Sequence, residues 1–124
     1  MATMSKEILS GSTNGRPIKL TDTASSNNTD AGYLVHTATN GGSGADIDEI
    51  FIYATNTSAA QVKLTVEFGG VTSPDDHIIA LIPAETTVLA VPGLPLKAGL
   101  IVKAFAGSAN VITLTGYVNR IDIS

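Results

Sequence analysis

The chain contains no cysteine and no tryptophan. Without thiols there is no disulfide framework, no thiolate nucleophile and no zinc site built on sulfur. The Cys–Trp–Cys core of true immunoglobulin domains is absent as well. Aromatic residues are 5% of the chain, three Tyr and three Phe, which gives little material for a platform that stacks sugars or bases. Charge is also sparse: 15% of residues are charged against 44% hydrophobic. A monomer kept in solution by its own surface ordinarily carries more charge, so this composition points to burial of some of the surface in an assembly.

Basic residues are few and scattered. Lys6, Arg16, Lys19, Lys63, Lys97, Lys103 and Arg120 never form a block of three, and the net charge is −4. Neutralising phosphates takes clustered Lys and Arg, so no nucleic-acid partner is expected. No apolar run approaches the ~20 residues that cross a bilayer as a helix, and no membrane partner is expected. The opening MATMSKEILSGS carries one Lys and no apolar stretch of signal-peptide character. The expectation is a protein made in the cytoplasm and kept there, or packed into a particle assembled there.

What the sequence does have is alternation. From Gln61 to Phe68, apolar and polar residues alternate without a fault before Gly69-Gly70, the pattern of a half-buried strand. Val62, Leu64, Val66 and Phe68 are expected to face a core, and Gln61, Lys63, Thr65 and Glu67 to face water. Glu49 to Thr57 is β-branched and aromatic and ends at the polar Asn56-Thr57-Ser58. The two segments predict a hairpin across residues 56–60. Val111 to Ile121 alternates in the same way, and Gly107-Ser108-Ala109-Asn110 predicts a second hairpin joining it to Leu100–Ala106. Between them lie His77–Ile82 and Thr86–Val91, and earlier come Arg16–Leu20 and Tyr33–Ala38.

No stretch keeps a 3.6-residue apolar period between a cap and a closing Gly, so little or no helix is expected. About eight short strands with regular turn signals predict an all-β, antiparallel two-sheet sandwich, jelly-roll rather than immunoglobulin-like. One domain spanning 1–124 is expected, with residues 1–12 as an N-terminal arm. Thr21–Gly32 and Thr39–Ala45, rich in Ser, Thr, Asn and Gly, read as loops.

Asp75-Asp76-His77 is the one string that resembles a metal or acid–base site. Ser73-Pro74 before it favours a turn, and Asp carboxylates bond nearby backbone N–H groups in turns. A carboxylate pair that acts as acid and base must converge on one bond, whereas adjacent residues at the start of a strand diverge. Asp46, Asp48 and Glu49 lack the EF-hand spacing. His36, alone on a strand, is expected to be satisfied by a backbone group or by solvent. No G-x-S-x-G elbow, phosphate loop or zincin motif occurs, so no catalytic residue, cofactor or metal is assigned.

Three strings carry a resemblance: EILSGSTNGRPIKLTDTA, DEIFIYATNTSAAQVKLTVEFGGVTSPDDHI and VPGLPLKAGLIVKAFAGSANVITLTGYVNRI. They are similar to a family of small virion-associated proteins of tailed bacteriophages. In that family a Ser-Gly-Ser-Thr-Asn/Asp-Gly-Arg-Pro-Ile-Lys opening precedes a β-rich body that ends in a Gly-Tyr/Phe-Val-Asn-Arg-Ile strand. The resemblance implies a head decoration or cement protein, a homo-oligomer and often a trimer, seated on the major capsid protein at the virion surface. It makes Lys6, Ile8, Leu9 and Arg16 candidates for shell or subunit contact. The alternative is a carbohydrate- or receptor-binding module of a head or tail fibre.

Overall fold

Along Ile47–Asn56 every second residue is buried: Asp48, Ile50, Ile52, Ala54 and Asn56. A period of two with β-branched residues on the inward side is what builds a strand against a core. The computed structural model describes residues 3–24, 33–40 and 46–122. Among these it contains nine strands and no helix: β1 (Thr3–Ile8), β2 (Ile18–Lys19), β3 (Tyr33–Thr37), β4 (Ile47–Asn56), β5 (Val62–Phe68), β6 (His77–Ile82), β7 (Thr86–Leu96), β8 (Ile101–Ala106) and β9 (Ile112–Asp122).

The strands form two antiparallel sheets that face each other. One runs β1-β9-β4-β7, with β2 also on β9; the other runs β3-β8-β5-β6. β1 and β2 share one edge of β9, β1 along Tyr117–Asp122 and β2 at Thr113 and Leu114, while β4 occupies the other edge. The ladders are nested: β5 pairs β6, β4 pairs β7, β3 pairs β8 and β2 pairs β9. Such nesting is one long hairpin rolled up, each successive pair passing to the opposite sheet. Ile50, Ile52, Leu114 and Val118 of one sheet meet Val35, Leu64, Val66 and Val102 of the other in a shared core. Each fully buried Leu, Ile or Val there contributes about 1.5–3 kcal/mol relative to exposure.

Two expected hairpins are corrected by this topology. β4 and β5 lie in different sheets, as do β8 and β9, so 57–61 and 107–111 arch over the end of the sandwich. Alternation fixes which face of a strand is buried but not which sheet it joins. The first arch is shaped by a buried side chain. Asn56 Nδ2 donates to Ala60 O at 2.8 Å and to Ile82 O at 3.0 Å, while its Oδ1 accepts the Ser58 N–H and hydroxyl. Among the described residues, β5 and β6 are the one pair of successive strands hydrogen-bonded to each other.

Two further differences concern individual strands. Residues 3–8, expected as part of an arm, form β1 on β9 of the same chain and bring the count from eight to nine. Thr65 and Glu67, expected to face water, are buried. β5 is an inner strand of its sheet, and their partners across the ladders are Ile79 and Phe105 for Thr65, and His77 and Lys103 for Glu67. These larger neighbours shield the two side chains on the outward face. The expected loop segments 21–32 and 39–45 lie for the most part outside the described residues.

Candidate functional site

Asp75-Asp76-His77 is a turn. The Asp76 carboxylate accepts the Thr72 N–H at 3.0 Å, the Asp76 N–H donates to Thr72 O, and the His77 N–H donates to Pro74 O. Asp76 O accepts the Phe68 N–H at 2.8 Å, which closes the β5–β6 connection. Asp75 is exposed, while the Asp76 carboxylate is held by the turn itself. His77 turns instead toward Glu67, with Nε2 3.6 Å from Oε2, and sets its ring edge-on to Phe105.

The polar cluster of greatest order joins β3, β4 and β9. His36 Nδ1 accepts the backbone N–H of Ser10 at 3.0 Å, so the ring proton sits on Nε2 and is donated to Asp48 Oδ2 at 2.8 Å. Arg120 grips the same carboxylate with Nε at 2.8 Å and Nη2 at 3.1 Å, and the Thr39 N–H adds a fourth donor at 3.0 Å. Burial alone would push the Asp48 carboxyl up. The hydrogen bonds from Arg120, His36 and Thr39 outweigh it and hold the group below its ordinary value of 3.8. Arg120 is shifted upward in turn, chiefly by its hydrogen bond to Asp48.

A serine, a histidine and an aspartate thus come together without the geometry of a nucleophilic triad. That chemistry needs the serine hydroxyl on the imidazole nitrogen opposite the aspartate. Here that nitrogen takes the Ser10 backbone N–H, and Ser10 Oγ accepts the Thr37 N–H at 2.7 Å. His36 and Asp48 are 1% and 0% exposed, which leaves no room for a substrate. The cluster bolts the two sheets together. The expected backbone partner of His36 is present; its second partner, Asp48, and the Arg120 that grips Asp48 were not expected. The residue types alone say that a charge on a strand's inward side is found paired; they do not say with which partner, and Arg120 lies 72 residues from Asp48.

The outward faces are unlike ordinary solvated sheet. On the β1-β9-β4-β7 sheet, Phe51 stacks on Tyr117 with ring centroids 4.8 Å apart and planes 15° from parallel. Lys6 Nζ lies 4.7 Å from the Tyr117 centroid, a cation–π contact. Gly93, at φ 81°, leaves space for the Phe51 ring, since a Cβ there would stand 2.7 Å from Cζ. Tyr53, Leu89, Ile8 and Met4 extend the same face into solvent. Three of the six aromatic residues therefore share one outer face, a grouping across two strands that the sparse aromatic content conceals. On the other sheet, Ile79, Leu81, Ile101 and Leu34 are exposed beside Phe105.

Two grooves are formed by described residues. An apolar one of about 430 Å3 lies between Ile47, Pro95, Leu96 and Leu100. A polar one of about 280 Å3 is lined by Thr13, Arg16, Lys19, Thr21 and Tyr33, among others. Of the four candidate contact residues, Lys6, Ile8 and Arg16 are exposed, whereas Leu9 is 1% exposed. Leu9 is corrected to a core residue, because its side chain packs between the sheets of its own chain. Comparison with protein-family models, curated proteins and solved structures finds no match.

Proposed function

We propose that this chain is a structural virion protein that decorates a tailed-phage capsid. It stabilises the shell through repeated contacts with copies of itself, as a homo-oligomer and in the favoured case a trimer, and with the major capsid protein. One observation carries this reading: ten large hydrophobic side chains are exposed among the described residues, and most of them lie on the two outward sheet faces. Contiguous exposed apolar surface on a domain marks a place where something else sits, and aromatic residues are enriched where such contacts hold. On a shell with many equivalent positions, weak contacts multiply into firm attachment.

We read the nested ladders as a jelly roll, the arrangement found in viral capsid and lectin domains; that agrees with a virion role but does not require it. The test adds the purified chain to heads that lack it and counts the copies bound. Saturable binding that raises the heat resistance of the heads is expected, and heads that bind none would refute the proposal. A second reading, a carbohydrate- or receptor-binding module, is favoured by the polar groove beside the exposed Tyr33.

A further inference from the structure

Most of the opening Ser10-Gly11-Ser12-Thr13-Asn14-Gly15-Arg16-Pro17-Ile18-Lys19 wraps around the polar groove, contributing six of its eight lining residues. The loop is rigidly built. The Gly11 N–H donates to Val35 O at 2.9 Å, the Ser12 N–H to Leu9 O at 2.9 Å, Ser12 Oγ to Arg16 O at 2.8 Å and the Arg16 N–H to Thr13 O at 3.0 Å. Asn14 and Gly15 turn the chain with φ of 55° and 87°, where Gly and Asn are the residues least strained. Gly11 lies so close to β3 that a Cβ would fall 2.1 Å from Leu34 O. Lys19 is fixed on β2 by its ladder to Thr113, between the buried Ile18 and Leu20.

This frame presents two of the seven cations of an acidic chain in one cavity. Among the described residues no carboxylate forms an ion pair with Arg16 or Lys19. Thr13 and Thr21 line the wall, the Thr21 hydroxyl donating to Asp22 Oδ1 at 3.4 Å and keeping its acceptor lone pairs, and Tyr33 brings an exposed aromatic ring.

We propose that the groove binds an acidic saccharide, gripping a carboxylate, phosphate or sulfate carried on a sugar ring. The Arg16 guanidinium supplies the forked donors that match an oxyanion, and Lys19 adds a point charge. The threonine hydroxyls suit sugar hydroxyls, and the Tyr33 ring offers an apolar surface to one face of the sugar. A volume of about 280 Å3 is near the low end for small-ligand sites and suits a single ring with its charged group. The inference rests on the carbohydrate-binding reading, gives it a ligand class, and is independent of attachment to a capsid.

The test follows backbone amide NMR shifts of the full chain titrated with glucuronate, glucose 6-phosphate, glucose and inorganic phosphate. Glucuronate and glucose 6-phosphate should shift Thr13, Arg16, Lys19, Thr21 and Tyr33 together. Arg16→Ala and Lys19→Ala should each weaken both ligands by about tenfold or more while melting at the wild-type temperature. Tyr33→Ala should bring glucose 6-phosphate down to the level of inorganic phosphate. Inorganic phosphate binding the wild type as tightly as glucose 6-phosphate would overturn the saccharide assignment. Glucose binding as tightly as glucuronate would overturn the role of charge and leave carbohydrate binding standing. No response to any of the four would end both.

Discussion

Asp48 of β4 accepts the Nε2–H of His36 of β3 at 2.8 Å, a hydrogen bond that crosses from one sheet to the other. Eight positions along the same strand, Asn56 makes a second crossing by donating to Ile82 O of β6. Between them Ile50, Ile52 and Ala54 fill the core. β4 is therefore an apolar strand with a polar fastening near each end. Apolar contact is tolerant of sliding, whereas a hydrogen-bonded buried group is satisfied in one alignment only, so these two residues fix how the sheets register.

Removing the Asp48 carboxylate should be severe. Asp48→Ala leaves the buried His36 Nε2–H and the partly exposed Arg120 guanidinium without their acceptor, and, with water able to reach Arg120, the loss should be about 3 kcal/mol, the low end for breaking a buried pair. Asp75→Ala, in the exposed part of the turn, should stay within about 0.5 kcal/mol. Urea unfolding of the two variants measures the contrast. Equal effects would show that the cluster is not a fastening.

The same carboxylate gives stability a direction in pH. Its folded value lies below the ordinary 3.8, so the unfolded chain binds a proton there more readily than the folded one. The contribution is fully present above the unfolded value and is lost as pH falls through the lower, folded value. Unfolding free energy measured from pH 6 down to pH 2 should fall on the acid side, and Asp48→Asn should flatten the part of that fall due to this group. A variant curve parallel to the wild type would contradict the assignment.

Asn56→Ala should cost about 2–3 kcal/mol, since it strips partners from buried backbone groups of the arch and of β6. Asn56→Asp should be no better, because a carboxylate cannot donate to the Ala60 and Ile82 carbonyls. Thermal melting checks both, and a wild-type melting temperature for either would refute this role.

Exposed apolar residues should behave oppositely. Leu81→Ser and Tyr53→Ser, on the two outer faces, should change the stability of the isolated chain by no more than about 0.5 kcal/mol and weaken its attachment to heads. Sedimentation of variant chain with heads reads the loss. Variants that bind as the wild type does would remove both faces from the contact.

The strands themselves were legible because burial on one side writes itself as alternation, most plainly in Val62–Phe68 and Ile112–Asp122. Burial on the other side does not. Thr65 and Glu67 are covered by His77, Ile79, Lys103 and Phe105, which arrive from neighbouring strands once the sheet order is set. The arches hid for a related reason: a short polar link between two alternating segments serves equally for a hairpin and for a crossing to the opposite sheet. Asn56 distinguishes them by its burial, a property of the fold and not of the local string. The Asp76 turn was legible because its hydrogen bonds are local. The His36 cluster was not, because Arg120 reaches Asp48 from 72 residues away. The polar groove escaped notice although its motif was visible, because its wall is completed by Tyr33 from another strand.

The proposed role turns on where the chain sits, and electron microscopy of the virions that the proposal says carry it addresses that directly. Density for the sandwich repeated at equivalent lattice positions over the head, with an outer sheet face against the shell or a neighbouring copy, is the expected result. Density confined to the tail or to fibres, with the head surface bare, would contradict it.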